Sequence, residues 1–295
     1  MQRDILTPEI ISKIDNLHFR ARRVVEGFIV GKHKSPYHGF SAEFSEHRAY
    51  GPGDEIKHID WKLFGKTDRY YVKQFEEETN LRANLILDQS NSMSYGSGHL
   101  TKLDFAQTLL ASIAYLMLKQ QDAVGLTVFD TDIKKFIPPR SKSSHLNVLL
   151  STLSNLDSGG ETSIAPILHK IAEKIHKRGL IILVSDLFDN PKETFNGLKH
   201  FRHKGHEVVV FHILDNEEIE LSFKDRVRFI DKETGQKITT DPWHIKTSYI
   251  KEIKTFCDYY KYNCRKNKID YVNIFTNQSL DKVISDYLIK RNSLK

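Results

Sequence analysis

The sequence predicts an α/β protein with a doubly wound, mostly parallel sheet, together with an N-terminal helix and a small β-rich appendage. Continuous apolar runs such as Leu180–Ser185 are typical of strands buried on both faces of a parallel sheet. Other segments, among them Lys102–Lys119, repeat apolar side chains at helical spacing. The two kinds of segment alternate from residue 83 onward, which favours a parallel sheet with helices on both faces.

The predicted elements follow one another along residues 81–295, which we expect to form one domain. The predicted strands are Ala83–Leu87, Ala123–Phe129, Ile133–Ile137, Leu180–Ser185, Glu207–Ile213 and Tyr271–Phe275. The predicted helices are Lys102–Lys119, Ser143–Leu153, Ser163–Lys177, Pro191–Lys204, Ile245–Lys268 and Leu280–Arg291. Ile133–Ile137 stands ahead of two prolines and is expected to pair with the strand before it. A β-hairpin is predicted as an insertion near 227–239.

Residues 1–80 differ in composition and are predicted as a separate region. Pro8–Val25 is expected to be a helix with a partial apolar face. Glycines and aromatic side chains dominate the rest, which predicts short strands and turns packed as an appendage. The indole ring of Trp61 is expected to be buried there with its N–H bonded.

Length and composition exclude several classes of protein. The 295 residues suffice for one large or two modest domains. No apolar stretch approaches the ~18 residues that a membrane span needs, and the N-terminus shows no leader peptide. Two cysteines, Cys257 and Cys264, are too few for a disulfide framework. We therefore expect a cytoplasmic protein without a membrane span.

The formal net charge of +6 at first suggests nucleic-acid binding. However, residues 1–240 carry 33 basic and 32 acidic side chains, whereas residues 241–295 carry 11 and 6. The excess therefore belongs to the C-terminal segment, where five basic side chains fall on one face of the long predicted helix. They are Lys251, Lys254, Lys261, Arg265 and Lys268. This basic stripe is a candidate contact for an acidic protein partner; nucleic-acid binding is the weaker alternative, because no nucleic-acid motif accompanies it.

Polar side chains gather where the predicted strands end. Asp88, Ser90 and Ser92 follow the first strand, Thr162 lies in the loop before a later helix, and Asp186 follows Leu180–Ser185. Ligands of open parallel sheets bind at the carboxyl ends of the strands. Carboxylate and hydroxyl oxygens suit Mg²⁺, whereas the zinc ligands thiolate and imidazole are lacking. The simpler alternative is that the serines only cap the next helix.

Several motifs resemble a known bacterial family. The five residues Asp88, Ser90, Ser92, Thr162 and Asp186 look like the metal-ion-dependent adhesion site of von Willebrand factor A domains. The N-terminal signature consists of Ser35-Pro36-Tyr37-His38-Gly39, Glu43-Phe44, Arg48-Ala49-Tyr50, Gly51-Pro52-Gly53-Asp54 and Ile59-Asp60-Trp61-Lys62. Together the motifs resemble domain-of-unknown-function family fifty-eight, whose members carry a von Willebrand factor A-like domain. The resemblance covers almost the whole chain after residue 25.

The resemblance implies a non-enzymatic module for metal-dependent protein–protein interaction. By carry-over, the same five residues would hold Mg²⁺ or Mn²⁺, and an open coordination position would accept a carboxylate from the partner. Members of the family are typically encoded beside MoxR-type AAA+ ATPases, so the implied role is that of an adaptor or chaperone partner of such an ATPase. Glu161 and Asp189 stand close enough in the sequence to compete for the metal.

An enzymatic alternative also uses Asp88. A metal-dependent phosphohydrolase with an aspartyl nucleophile would place its aspartate after the first strand, as here. That chemistry requires a second carboxylate two residues later as general acid and metal partner. Ser90 occupies that position, so the sequence favours a binding module over an enzyme.

Overall fold

A computed structural model of the chain describes residues 16–31, 47–51, 61–73, 81–156, 159–160, 163–223, 225–230 and 236–292. Contacts within the chain divide it into two compact units. One unit is Pro36–Asn80, and the other combines Met1–Ser35 with Leu81–Lys295. The second unit contains the α/β sheet and every described candidate site residue.

The elements alternate along the chain as the sequence predicts. The strands are β1 (His47–Ala49), β2 (Tyr71–Lys73), β3 (Arg82–Asp88), β4 (Ala123–Phe129), β5 (Ile133–Arg140), β6 (Leu180–Ser185), β7 (Glu207–Leu214), β8 (Val227–Ile230), β9 (Lys237–Thr240) and β10 (Asp270–Phe275). The helices are α1 (Leu17–Gly31), α2 (Trp61–Thr67), α3 (Lys102–Lys119), α4 (His145–Ser154), α5 (Ile164–Lys174), α6 (Pro191–His203), α7 (Asn216–Glu220), α8 (Pro242–Lys266) and α9 (Leu280–Asn292). Within the described residues, no helix combines the length and the apolar character needed to cross a membrane.

Six strands form the central sheet, in the order β10-β7-β6-β3-β4-β5. Five of them run parallel, and only the edge strand β5 pairs antiparallel, with β4. The predicted doubly wound, mostly parallel sheet is therefore confirmed. Strand β5 continues to Arg140, beyond the predicted end at Ile137, and includes both prolines. An edge strand tolerates proline because one of its sides needs no ladder hydrogen bonds.

The two faces of the sheet carry separate hydrophobic cores. Successive side chains of a strand point to opposite faces, so Leu85 and Leu87 of β3 pack on one face and Ile86 on the other. Helices α1, α3, α4 and α9 cover the face of Leu85. Helices α5, α6 and α8 cover the face of Ile86. This arrangement buries the four inner strands β3, β4, β6 and β7 on both sides, as their continuous apolar runs require.

Helix α1 belongs to the α/β unit, whereas the sequence grouped it with the appendage. Leu17, Ala21 and Val24 recur at helical spacing and are buried in the same core as α3. An amphipathic helix gains most of its stability from packing such a stripe. The first half of the predicted Pro8–Val25 helix lies outside the described residues, and the observed helix continues to Gly31.

The unit Pro36–Asn80 contains a short antiparallel pair, β1 with β2, and the helix α2, as expected of short strands and turns. The prediction of a buried Trp61 is wrong, since 56% of this residue is exposed. Trp61 begins a helix of seven residues and meets Phe64 edge-on at 6.1 Å between ring centroids. Phe64 in turn stacks on Tyr70 at 4.5 Å.

The predicted hairpin is present as the antiparallel pair β8 and β9, with Phe229 opposite Ile238. Its turn, residues 231–235, lies outside the described residues. Helix α8 begins at Pro242, three residues before the predicted start at Ile245. Proline is favoured in the first turn of a helix, because its fixed φ suits the helix and its missing N–H would have no partner there.

Gly197 tests how closely α5 and α6 pack. A Cβ added at Gly197 would lie 2.8 Å from Leu168 Cβ and 3.4 Å from the carbonyl oxygen of Ala165. We predict that Gly197→Ala lowers the free energy of unfolding by about 1–2 kcal/mol, because overpacking costs ~1–3 kcal/mol and exceeds the ~1 kcal/mol gained in helix propensity. Urea denaturation measures this change. Gly98→Ala is the control, since nothing lies within 4 Å of a Cβ there; equal stability of the two variants would contradict the prediction.

Candidate functional site

The candidate site lies at the carboxyl edge of the central sheet. Asp88 is the last residue of β3, and Asp186 directly follows β6. These strands are parallel neighbours, with Leu87 opposite Val184, so the sheet itself brings the two carboxylates to the same edge. Both are almost completely buried. The expectation that Asp88 and Asp186 share one site therefore agrees with their placement.

Both carboxylate oxygens of Asp88 accept hydrogen bonds. The backbone N–H of Ser90 donates to Oδ1 at 2.9 Å, and the hydroxyl of Ser185 donates to Oδ2 at 2.7 Å. Burial and the nearby charge of Asp186 raise the pKa of Asp88 to about 7, although these hydrogen bonds oppose the shift. An anionic Asp88 is therefore unfavourable beside Asp186, and a positive charge at this point would stabilise it.

Ser90 and Ser92 point toward each other across a short 3₁₀ turn, Asn91–Ser94. Their hydroxyls form a hydrogen bond with each other, and the two oxygens are 3.0 Å apart. Two neighbouring oxygen ligands of octahedral Mg²⁺, each at about 2.1 Å from the ion, are separated by about 3.0 Å. The spacing of the two hydroxyls therefore fits a magnesium shell.

The alternative that the serines only cap the next helix is wrong for α3. Thr101 caps that helix, because its hydroxyl accepts from the N–H of Asp104, and the Asp104 carboxylate accepts from the N–H of Thr101. Ser90 makes no side-chain capping bond to the 3₁₀ turn. The hydroxyls of Ser90 and Ser92 thus bond each other at the sheet edge and do not cap α3.

Thr162 and Glu161 lie outside the described residues, so their part in the site stays a prediction. The loop just before them is described. Gly159 donates its N–H to the carbonyl of Gln89 at 3.1 Å, and Asn91 donates its N–H to the carbonyl of Gly160 at 3.4 Å. These bonds attach the loop to the turn that carries Ser90 and Ser92.

Asp189, which the sequence suggests as a competing metal ligand, bonds the backbone at the start of helix α5. Its Oδ2 accepts from the N–H of Ile164 at 2.8 Å, at the start of α5. Its Oδ1 accepts from the N–H of Asn190 at 2.6 Å. A carboxylate in this position satisfies an N–H group at the N-terminus of the helix, which has no partner within the helix.

A buried lysine that sequence reasoning missed stands beside Asp186. Lys102, the first residue of α3, is completely buried. Its Nζ donates to Asp186 Oδ2 at 2.7 Å and to Glu218 Oε1 at 2.6 Å, and it lies 4.9 Å from the ring centroid of Phe188. Burial lowers the pKa of Lys102, but the two carboxylates outweigh burial and hold it above its usual value. The ammonium is therefore charged.

Glu218 is held in place by the start of α7. Its second oxygen, Oε2, accepts from the N–H of Asp215 at 2.8 Å, and the carboxylate of Asp215 accepts from the N–H of Glu217 at 3.0 Å. Asp215 also accepts from the hydroxyl of Thr276, after β10, at 2.7 Å. These bonds hold Asp215 and Glu218, which follow β7, at the carboxyl edge of the sheet.

A neutral histidine fixes the backbone of Asp186. Burial lowers the pKa of His212 to about 4, so the ring carries no charge at neutral pH. The carbonyl of Asp186 can only accept, and it lies 2.8 Å from His212 Nε2, which is therefore the donor. His212 Nδ1 then accepts from the hydroxyl of Tyr271 at 2.6 Å. The sequence signal for this role was only a histidine inside an apolar strand.

The basic stripe is exposed along α8, as its spacing predicts. All five basic side chains are exposed, and Lys268 lies two residues beyond the end of the helix. Asp258 is exposed on the same face, between Lys254 and Lys261. The stripe therefore contains an acidic residue among its cations.

Within the described part of the chain, no three histidine, cysteine, aspartate or glutamate side chains are grouped so that they could hold a metal ion. The candidate site instead combines two carboxylates, Asp88 and Asp186, with the hydroxyls of Ser90 and Ser92. All four donors are oxygen atoms, which is the chemistry that Mg²⁺ and Mn²⁺ prefer.

Comparison with known proteins finds both relatives and similar folds. The model of the family described as "Protein of unknown function DUF58" matches residues 46–255. The uncharacterized proteins Rv1480 of Mycobacterium tuberculosis and Mb1516 of Mycobacterium bovis are each 25% identical over 244 residues, covering 81% of this chain and 76% of the relative. BatB from Bacteroides thetaiotaomicron is a similar solved structure, with a TM-score of 0.46 and 19% identity over 72% of this chain and 99% of its own. The SpRpn10 VWA domain is another, with a TM-score of 0.41 and 14% identity over 69% and 94%.

Replacement of Lys102 measures how much the buried ion pairs contribute to the free energy of unfolding. We predict that Lys102→Met lowers the free energy of unfolding by about 3–5 kcal/mol, because it leaves two buried carboxylates without their counter-ion. Urea denaturation at neutral pH measures the loss. Lys170→Met is the control, since Lys170 and its partner Asp132, 3.2 Å apart, are both exposed and such pairs contribute under about 1 kcal/mol. Similar losses in both variants would refute a special role for Lys102.

Proposed function

Because the chain belongs to the DUF58 family of proteins of unknown function, we propose that it is a non-enzymatic protein–protein interaction module that binds its partner through a divalent cation. The von Willebrand factor A-like α/β fold suggests an interaction module. The more specific part of the proposal is that a cation, Mg²⁺ or Mn²⁺, mediates the interaction. It is supported by the oxygen donors at the carboxyl edge of the sheet.

The observation that carries the proposal is the pair of buried carboxylates, Asp88 and Asp186, beside two hydroxyls at magnesium spacing. Asp88, Asp186, Ser90 and Ser92 would hold the cation, and Thr162 would join them by the family resemblance. The raised pKa of Asp88 supports the fit, because a cation would offset the repulsion between the carboxylates. Once bound, the cation would supply an open coordination position for a carboxylate of the partner protein. Ser92 is the most exposed of the four donors, so the partner would approach from its side.

The geometry does not favour the enzymatic alternative. A nucleophilic aspartate must present one oxygen to a phosphate group and needs a second carboxylate as general acid, yet Asp88 is fully buried and Ser90 occupies the position of that second carboxylate. No described observation favours nucleic-acid binding either. Asp258 interrupts the basic stripe and would repel a phosphate backbone.

By its family resemblance the partner is a MoxR-type AAA+ ATPase or one of its clients, and the setting is the cytoplasm. Cys257 and Cys264 are both free thiols, which suits a reducing compartment. The exposed basic stripe on α8 offers a second contact for an acidic surface of the partner. Contacts of this kind steer association and weaken with salt.

The metal site is tested by thermal unfolding in Mg²⁺. We predict that Mg²⁺ at 100 times its dissociation constant stabilises the wild type by about 2.7 kcal/mol, because a ligand that binds only the folded state adds RT ln(1 + [L]/Kd). Asp88→Asn should abolish this shift, since it removes a carboxylate of the site. Asp132→Asn should keep it, since Asp132 is an exposed residue that pairs with Lys170. A wild type that does not respond to Mg²⁺ or Mn²⁺ would rule out the cation.

The partner is tested by capture of a purified MoxR-type ATPase encoded beside the chain's own gene. We predict retention in millimolar Mg²⁺ and release by chelator, with Ser92→Ala weakening retention at least tenfold. Asn91→Ala, beside it on the same turn, is the control and should retain the ATPase. If chelator does not change the amount of ATPase captured, the two proteins interact, but their interaction does not depend on the metal. No capture under either condition would contradict the partnership.

A further inference from the structure

The buried ammonium of Lys102 bears directly on the proposed cation. Asp186 would be a ligand of that cation, and its Oδ2 already accepts from Lys102 Nζ at 2.7 Å. The other oxygen of Asp186 accepts a longer bond, from the N–H of Phe188 at 3.3 Å. A cation at Asp186 must therefore share this carboxylate with Lys102.

The position of Lys102 is tightly determined. Its side chain is fully buried, with Asp186 on one side and Glu218 on the other. Glu218 cannot swing away, because its Oε2 is bonded to the N–H of Asp215. The ammonium therefore has no alternative site in water, and it remains within about 4–6 Å of any ion that Asp186 binds at about 2.1 Å.

The charges at the sheet edge are compatible with a bound cation, but the ammonium of Lys102 makes cation binding less favourable. Among the described residues, the buried side chains of Asp88, Asp186 and Asp215 and the largely buried Glu218 lie at this edge with one buried ammonium, that of Lys102, so the edge remains acidic. Two positive charges about 5 Å apart nevertheless repel each other by several kcal/mol even at an effective dielectric constant of 20. The same ammonium that stabilises the buried carboxylates thus opposes the metal.

We propose that Lys102 is a built-in counter-ion that weakens the affinity of the site for divalent cations, so that firm occupancy requires the additional carboxylate of a bound partner. The inference rests on the proposed cation site and concerns its regulation. It makes the metal and the partner mutually dependent. The ion alone is held weakly because of Lys102, and the partner's carboxylate supplies the negative charge that Lys102 has cancelled.

This role differs measurably from a purely structural one. A residue that only maintained the shape of the site would, when replaced, leave a site that binds metal more weakly. Removal of a competing ammonium has the opposite effect, because Asp186 Oδ2 becomes free for the metal. The direction of the change in affinity therefore distinguishes the two roles.

The experiment titrates the full-length chain with Mn²⁺ and counts free Mn²⁺ by electron paramagnetic resonance. The main variant is Lys102→Met with Glu218→Gln, which removes one charge of each sign and keeps an acceptor for the N–H of Asp215. Lys134→Met is the matched control, because it removes a positive charge from a half-exposed ion pair near the same sheet edge without freeing Asp186. We expect the double variant to bind Mn²⁺ at least tenfold more tightly than the wild type, and the control to stay within threefold.

A measurement on the unmutated protein covers the case in which the double variant does not fold. In the wild type labelled with ¹⁵N-lysine, Mg²⁺ should shift the ammonium resonance of Lys102, because the ion takes part of the Asp186 carboxylate. A metal that binds without moving this resonance would overturn the inference, as would equal or weaker Mn²⁺ binding by a folded double variant; the cation site would then stand without a competing lysine. Absence of Mn²⁺ binding in both proteins would remove the cation site itself.

Discussion

The buried bridge from Lys102 to Asp186 and Glu218 is the constraint on which the carboxyl edge of the sheet depends. It joins the first turn of α3, the end of β6 and the start of α7 through bonds of 2.7 and 2.6 Å. Charges removed from water need full compensation, and here each group has it. Lys102 has two carboxylates, and Glu218 has the N–H of Asp215 for its remaining oxygen. Any ligand that binds at this edge therefore changes the existing ion pairs among Lys102, Asp186 and Glu218.

The fold explains why so many carboxylates can lie at one edge. Parallel strands end on the same side of a sheet, and their backbone groups are already paired, so the residues after each strand are free to turn toward a common point. Asp88, Asp186 and Asp215 are the residues placed in this way. Neutral groups then hold them in position: the hydroxyl of Ser185 bonds Asp88, and the ring of His212 bonds the carbonyl of Asp186.

A weak intrinsic cation site has a functional consequence for an interaction module. If the ion and the partner's carboxylate each need the other, the partner binds only when both are present, and either can be lost to reverse the contact. The exposed basic stripe on α8 lies outside the buried ion bridge; in the proposed complex it is a contact whose strength varies with salt.

The sequence by itself determined the order and kind of the secondary-structure elements, because apolar periodicity reports burial directly: Lys102–Lys119 and Leu180–Ser185 have the predicted bounds. It also indicated that Asp88 and Asp186 lie at the carboxyl ends of two strands of a parallel sheet, because strands and helices alternate along the chain; that these two strands are neighbours was decided by the tertiary structure. Only the tertiary structure decided what those carboxylates touch. Lys102, Glu218 and Ser185 are separated from their partners by 84 to 116 positions in the chain, and no local pattern marks a lysine that will be buried. The packing of α1 on α3 and the exposure of Trp61 were likewise decided by the surfaces that folding brings together.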